Sequence, residues 1–69
     1  MDAENPKYPH ITVTLTGNDG NAFGILGVVR RALRQNRVPD IEIEAFYEEA
    51  TKDDYDHLLQ TVLKTVKVL

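Results

Sequence analysis

Cysteine, serine and tryptophan are absent from the 69 residues. Without cysteine there are no disulfide staples, thiolate zinc sites or thiol nucleophiles. Without serine the commonest oxygen nucleophile is missing, and Thr12, Thr14 and Thr16 alternate along the chain with no base assigned to them. An excess of positive charge is lacking too. Eight lysines and arginines stand against eleven aspartates and glutamates, for a net charge of -3, which weighs against a dedicated nucleic-acid binder. No apolar run approaches the roughly 20 residues that a bilayer span requires. The opening Met1-Asp2-Ala3-Glu4-Asn5 has no basic-then-apolar order of the kind a signal peptide shows. These absences lead us to expect a cytoplasmic protein with no membrane role, no cofactor and no catalytic activity.

What is present describes a globular chain, with 42% apolar and 28% charged residues. The length allows one small domain, expected over residues 10–69 behind a flexible polar lead, 1–9, that carries Pro6 and Pro9. A single core of this size contributes about 3–5 kcal/mol. Self-association, as a homodimer for example, or a bound partner would supplement it.

Ile11, Val13 and Leu15 alternate with Thr12, Thr14 and Thr16, which predicts a strand over 10–17 with one buried face. Gly17-Asn18-Asp19-Gly20-Asn21 is a concentrated turn signal. Phe23, Leu26, Val29 and Leu33 then recur at three and four, widened by Ile25, Val28 and Ala32, so an amphipathic helix is expected over 22–37. Asn21 or Asp19 would cap it. Gly24 and Gly27 each cost that helix about 1 kcal/mol relative to alanine, which a close backbone approach to a neighbour would offset.

Residues 41–47 fit two periods. Ile41, Ile43, Ala45 and Tyr47 share a face at period two, whereas Ile43, Phe46, Tyr47 and Ala50 share one at period 3.6. The longer run favours a helix capped by Asp40, and a strand there is the alternative. Thr51 in capping position, with Asp54 three residues on, opens a further helix whose stripe is Tyr55, Leu58, Leu59, Val62 and Val66. The valine-rich end, after a helix to about Lys64, reads as a short strand beside the first, with a helix running to the end as the alternative. The expected class is therefore α+β, in the order β-α-α-α-β, with the helices on one face of a two-stranded sheet. Sheet pairing across a dimer would be a natural extension.

Charge is sorted along the chain. Residues 22–39 carry plus four, all arginine, and residues 40–56 carry minus seven, with eight acids against Lys52. Such segments can pack together, pair between copies, or stand as two solvated faces of opposite sign, since an exposed ion pair is worth only about 0–1 kcal/mol. Arg30, Arg31, Arg34 and Arg37 form a basic ridge, the expected contact surface for a protein partner and, as a second reading, for nucleic acid.

Two other places could hold chemistry. The turn at Asp19, Gly20 and Asn21 sits between a strand and a helix start, where anions bind. It matches neither the dinucleotide pattern nor the phosphate loop, and Asp19 would repel a phosphate. Asp53, Asp54, Asp56 and His57 are the densest polar cluster, and on a helix Asp53 or Asp54 reaches the imidazole. No second histidine and no glycine hinge accompany them, so neither a zinc nor a calcium site is expected. Phe23, Phe46, Tyr8, Tyr47 and Tyr55 are the only aromatics, and at least three are expected to be buried.

The segments Asp19-Gly20-Asn21-Ala22-Phe23-Gly24-Ile25-Leu26-Gly27 and Ala50-Thr51-Lys52-Asp53-Asp54-Tyr55-Asp56-His57-Leu58-Leu59 resemble a group of short uncharacterised proteins encoded by bacteria and their phages. These carry D-G-N-A-F-x-I-L-G and A-T-S-G-D-Y-D-H-L-L motifs. The similarity runs from Ile11 onward, with Lys52-Asp53 here in place of serine-glycine. It implies a helix over 42–51 and a shared site at Asn21, Asp56 and His57, and it brings no activity with it. A ligand or nucleotide site formed by Asp19, Gly20, Asn21, Asp56 and His57 is accordingly a third expectation.

Overall fold

The structure is a computed structural model and describes residues 6–15 and 22–69. The turn at 17–21, with the expected caps Asp19 and Asn21, lies outside the described residues. The order is β1 (Tyr8–Val13), α1 (Ala22–Gln35), α2 (Asp40–Thr51), α3 (Tyr55–Thr65) and β2 (Val66–Val68). This is the α+β arrangement expected, and residues 41–47 are helical. Strands β1 and β2 pair in parallel, Tyr8 with Val66, Thr12 with Lys67 and Val13 with Val68. A parallel pair needs a long crossover, and all three helices supply it.

The first strand begins earlier than its alternation suggests. Lys7 N–H donates to the Lys64 carbonyl at 2.8 Å, which brings Tyr8 into register. Pro9 offers no N–H to the ladder, and the register is irregular between Tyr8 and Thr12. The sheet has two unlike faces. Ile11, Val13 and Val66 are buried beneath the helices, while His10, Thr12 and Lys67 are exposed on the other side.

The core joins those three residues to Ile25, Leu26, Val29 and Leu33 of α1, Ile43, Phe46 and Ala50 of α2, and Leu58 and Val62 of α3. In α1 this buried stripe is rotated away from Phe23, which is 79% exposed. The helix packs through Ala22, Ile25, Val29 and Leu33, so counting from Phe23 starts the stripe about a quarter-turn off. Phe46 is the one aromatic that is fully buried; Tyr8 and Tyr47 are half-buried and Tyr55 is exposed.

Helix ends also depart from expectation. Pro39, not Asp40, occupies the N-cap of α2, without a side-chain bond, and its carbonyl accepts from Glu42 and Ile43 N–H. Thr51 does not cap α3. It belongs to the last turn of α2, where its hydroxyl donates back to the Tyr47 carbonyl at 2.8 Å. The cap of α3 is Asp54, whose Oδ1 accepts from His57 N–H at 2.9 Å. Helix α1 ends two residues before Arg37. Arg37 N–H donates to the Arg34 carbonyl and Val38 N–H to the Leu33 carbonyl, both at 3.0 Å. This double bond pattern is a Schellman closure, and it puts Arg37 at φ 65°, where glycine is the usual residue.

Candidate functional site

Phe23, Gly27, Arg30 and Arg34 follow one another at four, three and four, so they share one face of α1, with Arg31 beside them. The core stripe lies on the opposite side, and all five residues are exposed. Gly27, Arg30, Arg31, Arg34 and Gln35 line a shallow hollow of about 310 Å³. Three of the four ridge arginines are thus brought together. Arg37 lies past the helix end, in the Schellman turn.

One residue of this face and one of the turn that closes α1 run against local preference. Nothing lies within 4 Å of where a Gly27 Cβ would stand. The expected close approach to a neighbour is therefore not the reason for this glycine, which costs an exposed helix about 1 kcal/mol. Arg37 holds a left-handed conformation that costs an L side chain about 1–2 kcal/mol. The Schellman closure accounts for Arg37, whereas Gly27 breaks a local rule with no internal reason, and such residues tend to mark functional surface.

The guanidinia of Arg31, Arg34 and Arg37 have no ion pair or hydrogen bond among the described residues. Arg30 has a neighbour of another kind, since its guanidinium carbon sits 4.9 Å from the centroid of the Tyr47 ring on α2. Arg30 and Tyr47 share a second hollow, of about 480 Å³, with Glu44 and Glu48. The basic face of α1 and the acidic face of α2 therefore border one another, and among the described residues no carboxylate closes onto an arginine.

At the α2–α3 junction the polar groups turn inward to one another. His57 Nε2 lies 3.0 Å from both the Glu49 carbonyl oxygen and Glu49 Oε2. Both are acceptors, so this ring nitrogen carries the hydrogen. The expected meeting of His57 with Asp53 or Asp54 does not occur at the ring. Asp54 takes the His57 backbone N–H, and Asp53 Oδ1 accepts from Asp54 N–H at 2.9 Å. Both aspartates are occupied by the turn, which leaves the imidazole to reach back across it. Lys52 Nζ lies 3.2 Å from Glu49 Oε1. Hydrogen bonding to Lys52, aided by His57, holds the Glu49 carboxyl below its ordinary pKa. Asp56 is exposed and has no partner among the described residues.

Asp19, Gly20 and Asn21, the remaining members of the expected ligand site, lie outside the described residues. Among the described residues, no group of three or more histidine and acidic side chains is placed to hold a metal ion, and no helix is long and apolar enough to cross a membrane. Sequence reasoning missed Phe23 and Gly27 as parts of the exposed face. Their spacing to Arg30 and Arg34 was the available signal. No protein-family model, no curated protein and no solved structure matches this chain.

Proposed function

We propose that this chain is a non-enzymatic protein-interaction module whose contact surface is the outer face of α1. In the same reading it is a phage or mobile-element accessory protein, in line with the resemblance noted in the sequence, and it acts in the cytoplasm. The observation that carries the reading is the set of arginines around the Gly27 hollow, where Arg31 and Arg34 are exposed and have no ion pair among the described residues. Exposed arginine beside an aromatic ring is the composition of an interface centre rather than of an ordinary solvated face. The missing side chain at Gly27 lets a partner backbone come close to the helix.

A protein partner suits this surface better than nucleic acid. Glu44 and Glu48 stand in the same hollow as Arg30, and a polyphosphate laid along the ridge would be repelled by them. A protein can instead present acid to the arginines and base or apolar surface to the glutamates.

Affinity capture with the wild-type chain and with an Arg30→Ala/Arg31→Ala/Arg34→Ala variant, identified by mass spectrometry, tests the proposal. Partners should be held by the wild type and lost by the variant. Partners that remain on the variant would remove the ridge as the contact surface. A parallel titration with duplex DNA should show little binding; tight binding that weakens steeply with salt would move the assignment to nucleic acid.

A further inference from the structure

The outer face of α2 repeats the design of α1 with the opposite sign. Ile41, Glu44 and Glu48 follow at three and four and so share one face, and all three are exposed. Ile41 is 74% exposed, close to the 79% of Phe23 on α1. Glu44 and Glu48 have no ion pair among the described residues. Each helix therefore presents one large apolar side chain and at least two unpaired charges, positive on α1 and negative on α2. The two faces meet at the hollow lined by Arg30, Glu44, Tyr47 and Glu48.

We propose that the occupant of this composite face is a second copy of the same chain. A surface half basic and half acidic is self-complementary about a two-fold axis through the boundary of its halves. Rotation about an axis at the Arg30–Tyr47 contact lays Arg31 and Arg34 of one copy over Glu44 and Glu48 of the other, and the reverse pairing forms at the same time. Because the halves are adjacent, the contact closes as a dimer. Distant patches of opposite sign would instead favour open head-to-tail chains. Within one chain these charges do not pair among the described residues: Arg30 lies over the Tyr47 ring, and no ion pair joins Arg31 or Arg34 to Glu44 or Glu48. Exposed charge pairs are individually weak, so the dimer depends on several at once and weakens as salt screens them.

This inference rests on the reading of the α1 face as a contact surface and names its partner. Sedimentation equilibrium at protein concentrations up to about 1 mM tests it, with salt raised from about 20 to 300 mM so that the Debye length falls severalfold. The wild type should dimerise at low salt, and its association constant should fall about tenfold or more at high salt. R31E/R34E and E44K/E48K should each be monomeric, and their equimolar mixture should form a one-to-one dimer, since every swapped contact is again of opposite sign. D53K/D56K has the same net charge as E44K/E48K, but its lysines lie in the α2–α3 break and the first turn of α3; it should not rescue R31E/R34E.

Circular dichroism establishes that all variants fold. A wild type that stays monomeric at low salt, a folded mixture that fails to associate, or rescue by D53K/D56K each overturns the inference. If the wild type is monomeric while the triple-alanine variant loses captured protein, self-pairing falls and the α1 face stands as the surface for a different chain.

Discussion

At the α2–α3 junction the charged side chains are spent on the chain's own architecture: Glu49 binds Lys52 and His57, and Asp54 caps α3. Along the outer face of α1 the arginines make no contact among the described residues beyond that of Arg30 with Tyr47, and a glycine stands where alanine would serve the helix better. Both regions are polar, exposed and helical, and composition alone would not separate them. The difference lies in where the partners are. A charge already paired within the fold contributes to stability, whereas an unpaired row on a rigid helix is available to another molecule.

Substitutions that trade the two sides of α1 give the largest test of that contrast. Leu33 is fully buried, and Leu33→Ala should cost about 2–5 kcal/mol in chemical denaturation. One residue on, Arg34→Ala should stay within about 0.5 kcal/mol. A loss above about 1 kcal/mol at Arg34 would mean that the ridge is structural, and the contrast would collapse.

The turn between α1 and α2 provides the next largest effect. Arg37→Gly should stabilise the chain by about 1 kcal/mol, because glycine takes the left-handed conformation without the Cβ penalty. Gly27→Ala should stabilise by a similar amount, about 1 kcal/mol, through helix propensity alone. If Gly27 is there for a partner, the same variant should bind or dimerise less well while melting at a higher temperature. A Gly27→Ala chain that is less stable would show that the glycine serves the fold after all.

Comparable in size is the cap. Asp54→Ala should cost about 0.5–2 kcal/mol in thermal melts, and removing Asp56, a neighbour with no partner among the described residues, should cost almost nothing.

The smallest effect is that of pH. Glu42 is hydrogen-bonded to Lys7 at 2.6 Å, and this bond holds its carboxyl below the ordinary value, as Lys52 does for Glu49. A carboxyl with a lowered folded-state pKa stabilises the fold above the unfolded value, and that contribution is lost as pH falls through the folded one. Both side chains are exposed, so the loss should be slight. It should begin near the ordinary carboxyl value of 4.5 and grow on further acidification. Glu42→Gln/Glu49→Gln should show a flatter acid limb than the wild type in melts between about pH 5 and pH 2.

Much of the fold could be read in advance where burial imposes a period. The alternation of Ile11 and Val13 predicts a strand, and the recurrence of Val29 and Leu33 and of Leu58 and Val62 predicts helices, because a face turned to the core must repeat with its own backbone. Boundaries and caps were harder. Thr51 and Asp54 both have the chemistry of a cap, and only the three-residue break after Thr51 selects Asp54. The arginine ridge was visible as a run of charge, but Phe23 seemed part of the core because a three-and-four count can be started from either of two neighbouring residues.

The sequence by itself determined the class of this protein, its order of elements and the sorting of positive charge onto one helix and negative charge onto the next, since periodicity and composition are local properties. Tertiary structure decided which charges are consumed. His57 pairs with Glu49, eight residues away, because two helix ends meet there, and Arg30 lies over Tyr47 because α1 packs on α2. Neither distance is encoded by spacing along a single element. The packing of helices against one another sets both, and with them which side chains are left for a partner.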